Sequence, residues 1–344
     1  MPPHAQRVYN GIINSPQATS IPKWRITEAG GPAVQRVLVR SSGKPLSDGV
    51  EGIFSYDGFN NVFLNEAVDV AARVARESWV LGPRGEAEQT EAALIALSRD
   101  VLNLYYNDYI ARYDAILGDI DIIPMESLSH AVEVTNVLSG PTSPIVNILT
   151  EVSNETRLSE DRSVVDTSEL KSGASAVAAI ETRSSLSAQA QIMLGALSRA
   201  AAANTGEPAR PPGGYVEDRF AWLHQLVDRP EGQPSQLDGL MGSLTNVYQE
   251  LNKMSFSGVG NSAEGGAAIQ QFQQAASRID GPIQRWASQI TTGSSGIAAD
   301  GTRASINASW QASVLPFCQQ ALDNRYPFNR RAGADVAMQD FGKL

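Results

Sequence analysis

The side chains best suited to catalysis or metal binding are few in this sequence and lie far apart. None of the three histidines, His4, His130 and His224, has a second histidine, a cysteine or a carboxylate at a recognised metal-ligand spacing. The one cysteine, Cys318, lies in an apolar stretch, which favours a buried, unreactive thiol over a nucleophile. We therefore predict no bound metal and no catalytic cysteine.

Two further patterns could belong to an enzyme, and both are weak. Residues 258–263 read Gly-Val-Gly-Asn-Ser-Ala and match the GxGxxA pattern of dinucleotide-binding loops, but a helix end precedes them where that loop needs a strand. Two carboxylate pairs lie on shared helix faces, Glu151 with Glu155 and, approximately, Glu217 with Asp218. Such pairs could cleave a glycan, but they also arise by chance on acidic helices. We predict no cofactor and no enzymatic activity.

The most specific local pattern is FCQQALDNRYPF, residues 317–328, in which a helix leads into Arg-Tyr-Pro-Phe. The residue before a proline prefers an extended backbone. We expect Tyr326 and Phe328 to pack back onto the helices, with Arg325 bonding a helix end or a carboxylate. The alternative is a contact with a partner protein. The candidate residues for that contact are Trp310, Phe317, Arg325, Tyr326, Pro327 and Phe328.

The charge balance argues against two classes of partner. The chain has 344 residues and a formal net charge of −10. No cluster of Lys and Arg supplies the basic face through which proteins bind nucleic acids or anionic membranes. Its most acidic stretch, Asp108–Glu133, is interpreted as a solvated helix face or, alternatively, as a surface for a basic partner. No apolar run is long enough to span a membrane, and the first residues do not resemble a signal peptide. We expect a soluble chain that reaches a membrane only through segments absent from this sequence.

The elements that position these residues are predicted to be mainly helical. Apolar residues three and four apart mark the longest helix, Glu88–Leu117, with Tyr105, Tyr109 and Tyr113 in its buried stripe. Further helices are predicted over Leu64–Trp79, Met125–Leu138 with Pro124 as first residue, a segment capped by Ser143 with Pro144 first, Ala174–Ala203, Val216–Val227, Leu237–Phe256, Ala267–Ile290, Thr302–Leu322 and from Asp335 onward. Loops are predicted at 257–266 and 291–301.

The predicted fold class is mainly α, with helical bundles in two regions and a small mixed α/β patch near the N-terminus. That patch holds a strand at Ala33–Arg40 and a compact loop or short extended piece at Gly52–Phe63. The predicted domains are residues 1–165, a linker with an alanine-rich helix at 166–214, and a second helical domain at 215–344. The proline- and glycine-rich segment Asn204–Gly214 marks the clearest boundary.

Residues 310–344 (WQASVLPFCQQALDNRYPFNRRAGADVAMQDFGKL) resemble a signature of the IcmF/TssM family. The shared features are the tryptophan, the VLPFC run, RYPF, DVA and DFG. Four other segments resemble the family in the same order, namely residues 41–63, 104–114, 138–149 and, more weakly, 220–228. The order of the matches along nearly the whole chain makes the resemblance specific.

The resemblance implies a structural role. Family members are large inner-membrane proteins of bacterial type VI secretion systems, and they join a TssL-type inner-membrane protein and a TssJ-type outer-membrane lipoprotein. The chain would be the mainly helical periplasmic portion of such a protein, a strut and self-association surface, ending before the β-rich domain that contacts the lipoprotein. Two alternatives stay open: a periplasmic enzyme acting on peptidoglycan, and a cytosolic helical adaptor.

Overall fold

Helices form most of the structure, as the sequence predicts. The computed structural model describes residues 3–67, 70, 91–160, 162, 211–257 and 262–341. In chain order its elements are α1 (Pro3–Ile13), α2 (Pro16–Ser20), α3 (Ile26–Ala29), α4 (Val34–Val37), β1 (Leu38–Arg40), a 3-10 turn (Gly52–Phe54), a π turn (Gly58–Phe63), α5 (Glu91–Asp119), β2 (Ile120–Ile122), α6 (Leu128–Ser139) and α7 (Pro144–Glu155). There follow α8 (Gly214–Arg219), α9 (Ala221–Val227), α10 (Gln236–Ser257), α11 (Ser262–Ala276), α12 (Ile283–Ser309), a second π turn (Trp310–Val314), α13 (Leu315–Leu322) and α14 (Met338–Phe341).

The chain forms two compact units that interleave along the sequence. The first unit comprises Met1–Ile123, Pro141–Gly239 and Ile279–Ile283, and the second comprises Pro124–Gly140, Leu240–Arg278 and Gln284–Leu344. The domain limits predicted at residues 165 and 214 lie among or beside residues outside the described structure, so they stay a prediction. The same holds for the alanine-rich helix at 174–203 and for most of Leu64–Trp79, of which 64–67 and 70 are helical.

The first unit is built around α5, whose predicted stripe is confirmed. Tyr105, Tyr109 and Tyr113 are fully buried, and Val101 and Ile116 are nearly so. Their successive spacings of four, four, four and three residues place them on one face of a helix that turns once in 3.6 residues. Helix α1 packs against α5, so the core of this unit lies along the tyrosine face.

The N-terminal patch is more helical than predicted. Of the predicted strand Ala33–Arg40, only β1 is a strand; it pairs antiparallel with β2, with Val39 opposite Asp121. The preceding four residues form α4, and the Ile123 amide after β2 still donates a hydrogen bond to the carbonyl of Val37, the last residue of α4, at 3.1 Å. The segment Gly52–Phe63, predicted as a loop or extended piece, instead forms the 3-10 turn and the first π turn. Gly58 permits this packing, since a Cβ there would lie 2.3 Å from the carbonyl oxygen of Gly52.

Helix starts around residues 124–144 were predicted with mixed success. Pro124 does not begin a helix; α6 begins at Leu128, where the Ser127 hydroxyl accepts a hydrogen bond from the His130 amide. Helix α7 begins at Pro144 as predicted, and its apolar face is buried. Ser143 lies at the predicted N-cap position, but its hydroxyl makes no capping bond.

Later helices differ from the prediction at their breaks. The predicted helix Val216–Val227 is divided at Phe220 into α8 and α9, whereas α10 matches the predicted Leu237–Phe256. The predicted helix Ala267–Ile290 is interrupted before α12, where Gly281 has a φ of 80° and a proline follows it. The predicted loop 291–301 is wrong, because α12 continues through it. A helical glycine costs only about 1 kcal/mol, and burial elsewhere in the helix offsets that cost.

Candidate interaction surface

Three tyrosine hydroxyls of α5 hold the neighbouring segments in place. Tyr105 and Tyr113 donate hydrogen bonds to carbonyls of the 3-10 turn at 2.6 and 3.0 Å, and Tyr109 donates to the last carbonyl of α7 at 2.7 Å. Burial raises the pKa of all three hydroxyls well above that of an exposed tyrosine. They therefore remain protonated donors, and their role is structural.

The same tyrosines belong to a packed aromatic column. Ring centroids are 3.8 Å apart for Phe63 and Tyr105, 5.1 Å for Tyr109 and Tyr113, and 5.3 Å for Phe54 and Tyr105. The guanidinium carbon of Arg112 lies 3.9 Å from the centre of the Phe54 ring. Aromatic pairs stabilise beyond the area that they bury, so this column stiffens the first unit.

A half-buried carboxylate joins β1 to the end of α5. Asp119 accepts hydrogen bonds from Arg40 Nε at 2.6 Å, from the Ser42 amide and hydroxyl at 2.7 Å each, and from the Ser41 hydroxyl at 2.9 Å. Burial opposes ionisation, but the hydrogen bonds from Ser42, Arg40 and Ser41 outweigh it and hold the pKa of Asp119 well below its usual range. Arg40 is only 8% exposed, so its charge is neutralised by Asp119 rather than by solvent.

The histidines do not come together. Nε2 of His224 lies 2.9 Å from the Thr156 hydroxyl, and burial together with the nearby Arg157 lowers the pKa of His224 to about 4. His4 is exposed and His130 is half-buried. Among the described residues no group of three or more His, Cys, Asp or Glu side chains could hold a metal ion.

One carboxylate of each predicted pair is used to bind backbone. Glu155 accepts a hydrogen bond from the Tyr56 amide at 2.6 Å, and Glu217 accepts one from the Ser159 amide at 2.6 Å. Burial raises the pKa of Glu155, although the Tyr56 amide acts in the opposite direction. A raised pKa is a property of general acids, so Glu155 is the residue through which the enzyme alternative can be tested.

The GxGxxA segment lacks the context of a cofactor loop. Helix α10 ends at Ser257 and α11 begins at Ser262, so a helix precedes the segment where a dinucleotide-binding loop follows a strand. Residues 258–261 lie outside the described structure.

The acidic stretch Asp108–Glu133 is largely engaged within the chain. Asp108 lies 3.3 Å from Arg112, Asp114 lies 2.9 Å from Arg219, and Asp119 is paired with Arg40 as above. These carboxylates neutralise the chain's own arginines. The stretch is therefore a poor candidate for a surface that attracts a basic partner.

The second unit exposes a run of large apolar side chains. All residues from 306 to 316 are exposed, and the run includes Ile306 (64%), Trp310 (51%), Val314 (36%) and Leu315 (37%). Apolar side chains that are exposed together on one element are typical of interaction sites. This stretch, residues 306–316, is called the exposed helical stretch below.

The second π turn follows from the proline after it. Pro316 has no amide hydrogen, and within a regular helix its ring would clash with the carbonyl four residues earlier. The backbone widens instead, and the Leu315 amide donates to the carbonyl of Trp310, five residues back. The chain therefore stays helical from α12 through this turn into α13.

The RYPF segment is held by its backbone, and its aromatic rings face outward. The Tyr326 amide donates to the Ala334 carbonyl, and Arg325 Nη1 donates to the Asp335 carbonyl at 3.3 Å. The peptide before Pro327 is cis. Tyr326 and Phe328 are 52% and 62% exposed, so the expectation that they pack onto the helices was wrong. Phe317 and Cys318 are half-buried, which corrects the predicted burial of the thiol.

No described helix is long and apolar enough to cross a membrane.

The RYPF sequence indicated aromatic anchors, but only the structure shows that their rings face outward. The exposed helical stretch was missed because apolar residues at helical spacing are more often buried.

Comparison with known proteins gives three findings. Residues 2–157 match a family described as IcmF-related: intracellular multiplication and human macrophage-killing. The chain is 30% identical over 350 residues to the type VI secretion system component TssM1 of Pseudomonas aeruginosa, covering 99% of this chain and 30% of that protein. A solved type VI secretion system membrane core complex contains a chain with a TM-score of 0.61 and 12% identity, matched over 99% of this chain and 59% of that one.

The resemblance to the IcmF/TssM family that the sequence predicts is thereby confirmed. The chain spans less than a third of the length of TssM1. At 12% identity the structural likeness shows the fold alone, and that fold agrees with the predicted mainly α class.

Proposed function

We propose that this chain, a relative of the IcmF/TssM family, is a structural component of a type VI secretion membrane complex. The observation that carries the proposal is the extent of the likeness, because similarity to TssM1 runs through 99% of the chain. A single shared motif could reflect local structure, but a likeness over the whole chain implies a common architecture.

The component is proposed to act without catalysis. Side chains that could do chemistry are used in structural bonds: Glu155 and Glu217 bind backbone amides, and His224 is paired with Thr156. Binding and assembly then account for the exposed aromatic and aliphatic groups of the second unit.

The finer proposal is a periplasmic strut in a longer inner-membrane protein, linking a TssL-like inner-membrane partner to a TssJ-like outer-membrane lipoprotein. The lipoprotein would be contacted through the β-rich domain of the longer family members. The stiffness of the first unit supports a strut. The packed aromatic column and the Arg40–Asp119 pair fix segments of this unit that are far apart in sequence. Close-packed interiors of this kind transmit force with little deformation.

An in-frame deletion tests the structural role. In a bacterium that carries the full-length protein, residues 1–344 are removed, and two quantities are measured: co-purification of the TssL-like and TssJ-like proteins, and release of secreted type VI proteins into the medium. We expect loss of both while the shortened protein stays in the membrane fraction. Intact assembly and secretion would refute the role.

The cellular compartment of the chain, periplasm or cytosol, is tested by labelling a single cysteine. In a Cys318→Ala background, the exposed Lys44 is replaced by cysteine, and spheroplasts are treated with a membrane-impermeant maleimide. Labelling before lysis is expected for the periplasmic strut. Labelling only after lysis would favour the cytosolic adaptor.

The absence of catalysis is tested by a peptidoglycan zymogram with the purified chain. No clearing is expected. Clearing that disappears in Glu155→Gln would overturn the proposal, since that substitution removes the carboxyl group whose pKa is raised by burial.

A further inference from the structure

One loop of the second unit is basic and aromatic, although the chain as a whole is acidic. Residues 324–334 contain three arginines and no Asp or Glu, whereas the whole chain has a formal net charge of −10. Tyr326 and Phe328 are 52% and 62% exposed, and Arg330 and Arg331 are exposed as well. Residues 324–334 are called the arginine–aromatic loop below. The loop presents two aromatic rings and two cationic side chains to solvent within residues 326–331.

Hydrogen bonds within the arginine–aromatic loop hold its backbone in one shape. The Tyr326 amide donates to the Ala334 carbonyl at 2.9 Å, and the Asn329 amide donates to the Arg325 carbonyl at 2.8 Å. The Asn329 side-chain oxygen accepts a hydrogen bond from the Arg331 amide at 3.0 Å. A backbone that is fixed before a ligand arrives lowers the entropic cost of binding.

The guanidinium groups of this loop are used differently from those elsewhere in the chain. Arg40, Arg112 and Arg219 each form an ion pair with a carboxylate of the same chain. Among the residues that the structure describes, no carboxylate pairs with the guanidinium of Arg330 or Arg331. A guanidinium is a planar fork of N–H donors that matches the two oxygens of a carboxylate. Both groups are therefore open to the carboxylates of a ligand.

We propose that the arginine–aromatic loop binds an extended acidic segment of another protein. Its carboxylates would lie on Arg330 and Arg331, and an aromatic or apolar side chain would pack against Tyr326 and Phe328. Charge favours this occupant over three others. A second copy would bring an identical basic loop, which repels the first. A nucleic acid requires a longer basic face.

An anionic membrane surface is the third occupant that charge disfavours. Such a surface extends beyond the loop and would repel the acidic remainder of the chain. A short segment instead approaches the loop alone, and the field of more distant carboxylates is screened beyond a Debye length of about 8 Å at physiological ionic strength.

The area of the loop sets the size and affinity of the segment. A fully covered aromatic side chain buries 150–250 Å², so the exposed parts of Tyr326 and Phe328 offer roughly 200 Å² together. The stems and heads of the two arginines add roughly as much again. The sum is below the ~800 Å² per partner that joins two folded proteins stably. The fitting partner is therefore a short segment that binds with a dissociation constant on the order of 100 µM.

The inference deepens the proposed function, and its biological meaning rests on that function. A membrane complex is held together by contacts between different proteins. A weak contact is adequate there, because neighbouring contacts raise the effective concentration of the two partners. Binding itself is a property of the purified chain and can be measured without the complex.

Fluorescence anisotropy with the purified chain tests the binding. The probe is a fluorescein-labelled peptide of about eight residues, alternating Glu and Tyr, which spans roughly 27 Å when extended. We expect saturable binding at low ionic strength that weakens as salt is added. The same peptide with Lys in place of Glu is the charge control and should not bind.

Two variants of equal net charge separate the loop from general electrostatics. Arg331→Glu and Arg278→Glu make the same change in charge, and Arg278 is an exposed residue of the second unit outside the loop. Arg331→Glu should weaken binding at least about fivefold, and Arg278→Glu less than about twofold. Phe328→Ser should also weaken binding, whereas Phe256→Ser, at a side chain that is 85% exposed, should not. Circular dichroism checks that all four variants fold.

The outcomes separate this inference from the proposed function. Absence of peptide binding, or equal losses in Arg331→Glu and Arg278→Glu, would refute the loop as the binding site. Binding to vesicles that contain phosphatidylglycerol, lost in Arg331→Glu and seen without peptide binding, would overturn the proposal in favour of a membrane contact. In each of these cases the deletion experiment still decides the structural role. Peptide binding that depends on the loop, combined with intact secretion after the deletion, supports the inference and refutes the proposed function alone.

Discussion

Replacing Asp119 by asparagine should destabilise the first unit more than any loss of a single neutral hydrogen bond. Asp119 and Arg40 are 13% and 8% exposed, and their charged atoms are 2.6 Å apart. Asparagine keeps one acceptor oxygen for Ser42 or Ser41, but it leaves the buried guanidinium without a counter-charge. Breaking a buried ion pair costs 3–5 kcal/mol, and the retained acceptor places the expected loss near the lower limit, about 3 kcal/mol.

Hydrogen exchange measured by mass spectrometry is the suitable assay, since the chain contains two units and a single unfolding transition is not assured. Peptides covering residues 38–42 and 119–123 should exchange faster in Asp119→Asn. The increase in their exchange rates, converted to a free energy of local opening, should equal the loss of local stability. Peptides from residues 240–257 belong to the second unit and serve as the internal control.

The pH dependence has a definite sign. The folded pKa of Asp119 is depressed below its unfolded value, so its ionised form stabilises the fold above a pH of about 4, the unfolded pKa. That stabilisation is lost as the pH falls toward the folded pKa. Asp119→Asn should not show this loss.

A double substitution provides the decisive control. Arg40→Met combined with Asp119→Leu removes both charges, and apolar replacement of a buried pair is often nearly neutral. The double variant should therefore be more stable than Asp119→Asn. Equal effects of Arg40→Met in the wild-type and Asp119→Asn backgrounds would show no coupling between the two residues and would refute the reasoning.

Three further predictions concern other residues of the first unit. Tyr113→Phe leaves the buried carbonyl of Phe54 without its donor and should cost about 1–2 kcal/mol in urea unfolding; an unchanged midpoint would count against the tyrosine contacts. Gly58→Ala forces a Cβ to within 2.3 Å of a backbone carbonyl and should cost at least about 2 kcal/mol, whereas Gly118→Ala meets no atom within 4 Å and should be neutral or stabilising in thermal melts. The pKa of His224 is lowered to about 4, so stability should fall by roughly 1–2 kcal/mol between pH 6.5 and pH 4 after allowance for solvent; His224→Gln should flatten that dependence in urea titrations.

Local sequence patterns predicted those parts of the fold that local physics determines. The tyrosine stripe of α5 follows from helical periodicity alone, and Pro144 marks the start of α7 because its missing amide costs nothing there. The break before α12 was missed although Gly281 and the following proline signal it. There the apolar residues on both sides suggested a continuous helix.

Contacts between residues far apart in sequence could not be predicted in this way. Asp119 meets Arg40 across 79 positions, and Tyr109 meets the α7 carbonyl across 46. Nothing within a few residues of either partner indicates the other. The predicted loop at 291–301 was also wrong because of packing that the local sequence does not reveal. Its glycines suggest a loop, but Trp286, Ile290 and Ser294 of α12 are buried, and that burial supports a helix.

The exposed helical stretch is best understood as an extension of a helix that is stabilised elsewhere. A short helix with no buried face is marginal in water, because nucleation is costly and little packing repays it. Here α12 is already nucleated by its buried first half, so each further residue needs only propagation. The π turn then carries the direction past Pro316 without a break. The chain thereby keeps the exposed side chains of Ile306, Trp310 and Val314 on a helical backbone without packing of their own.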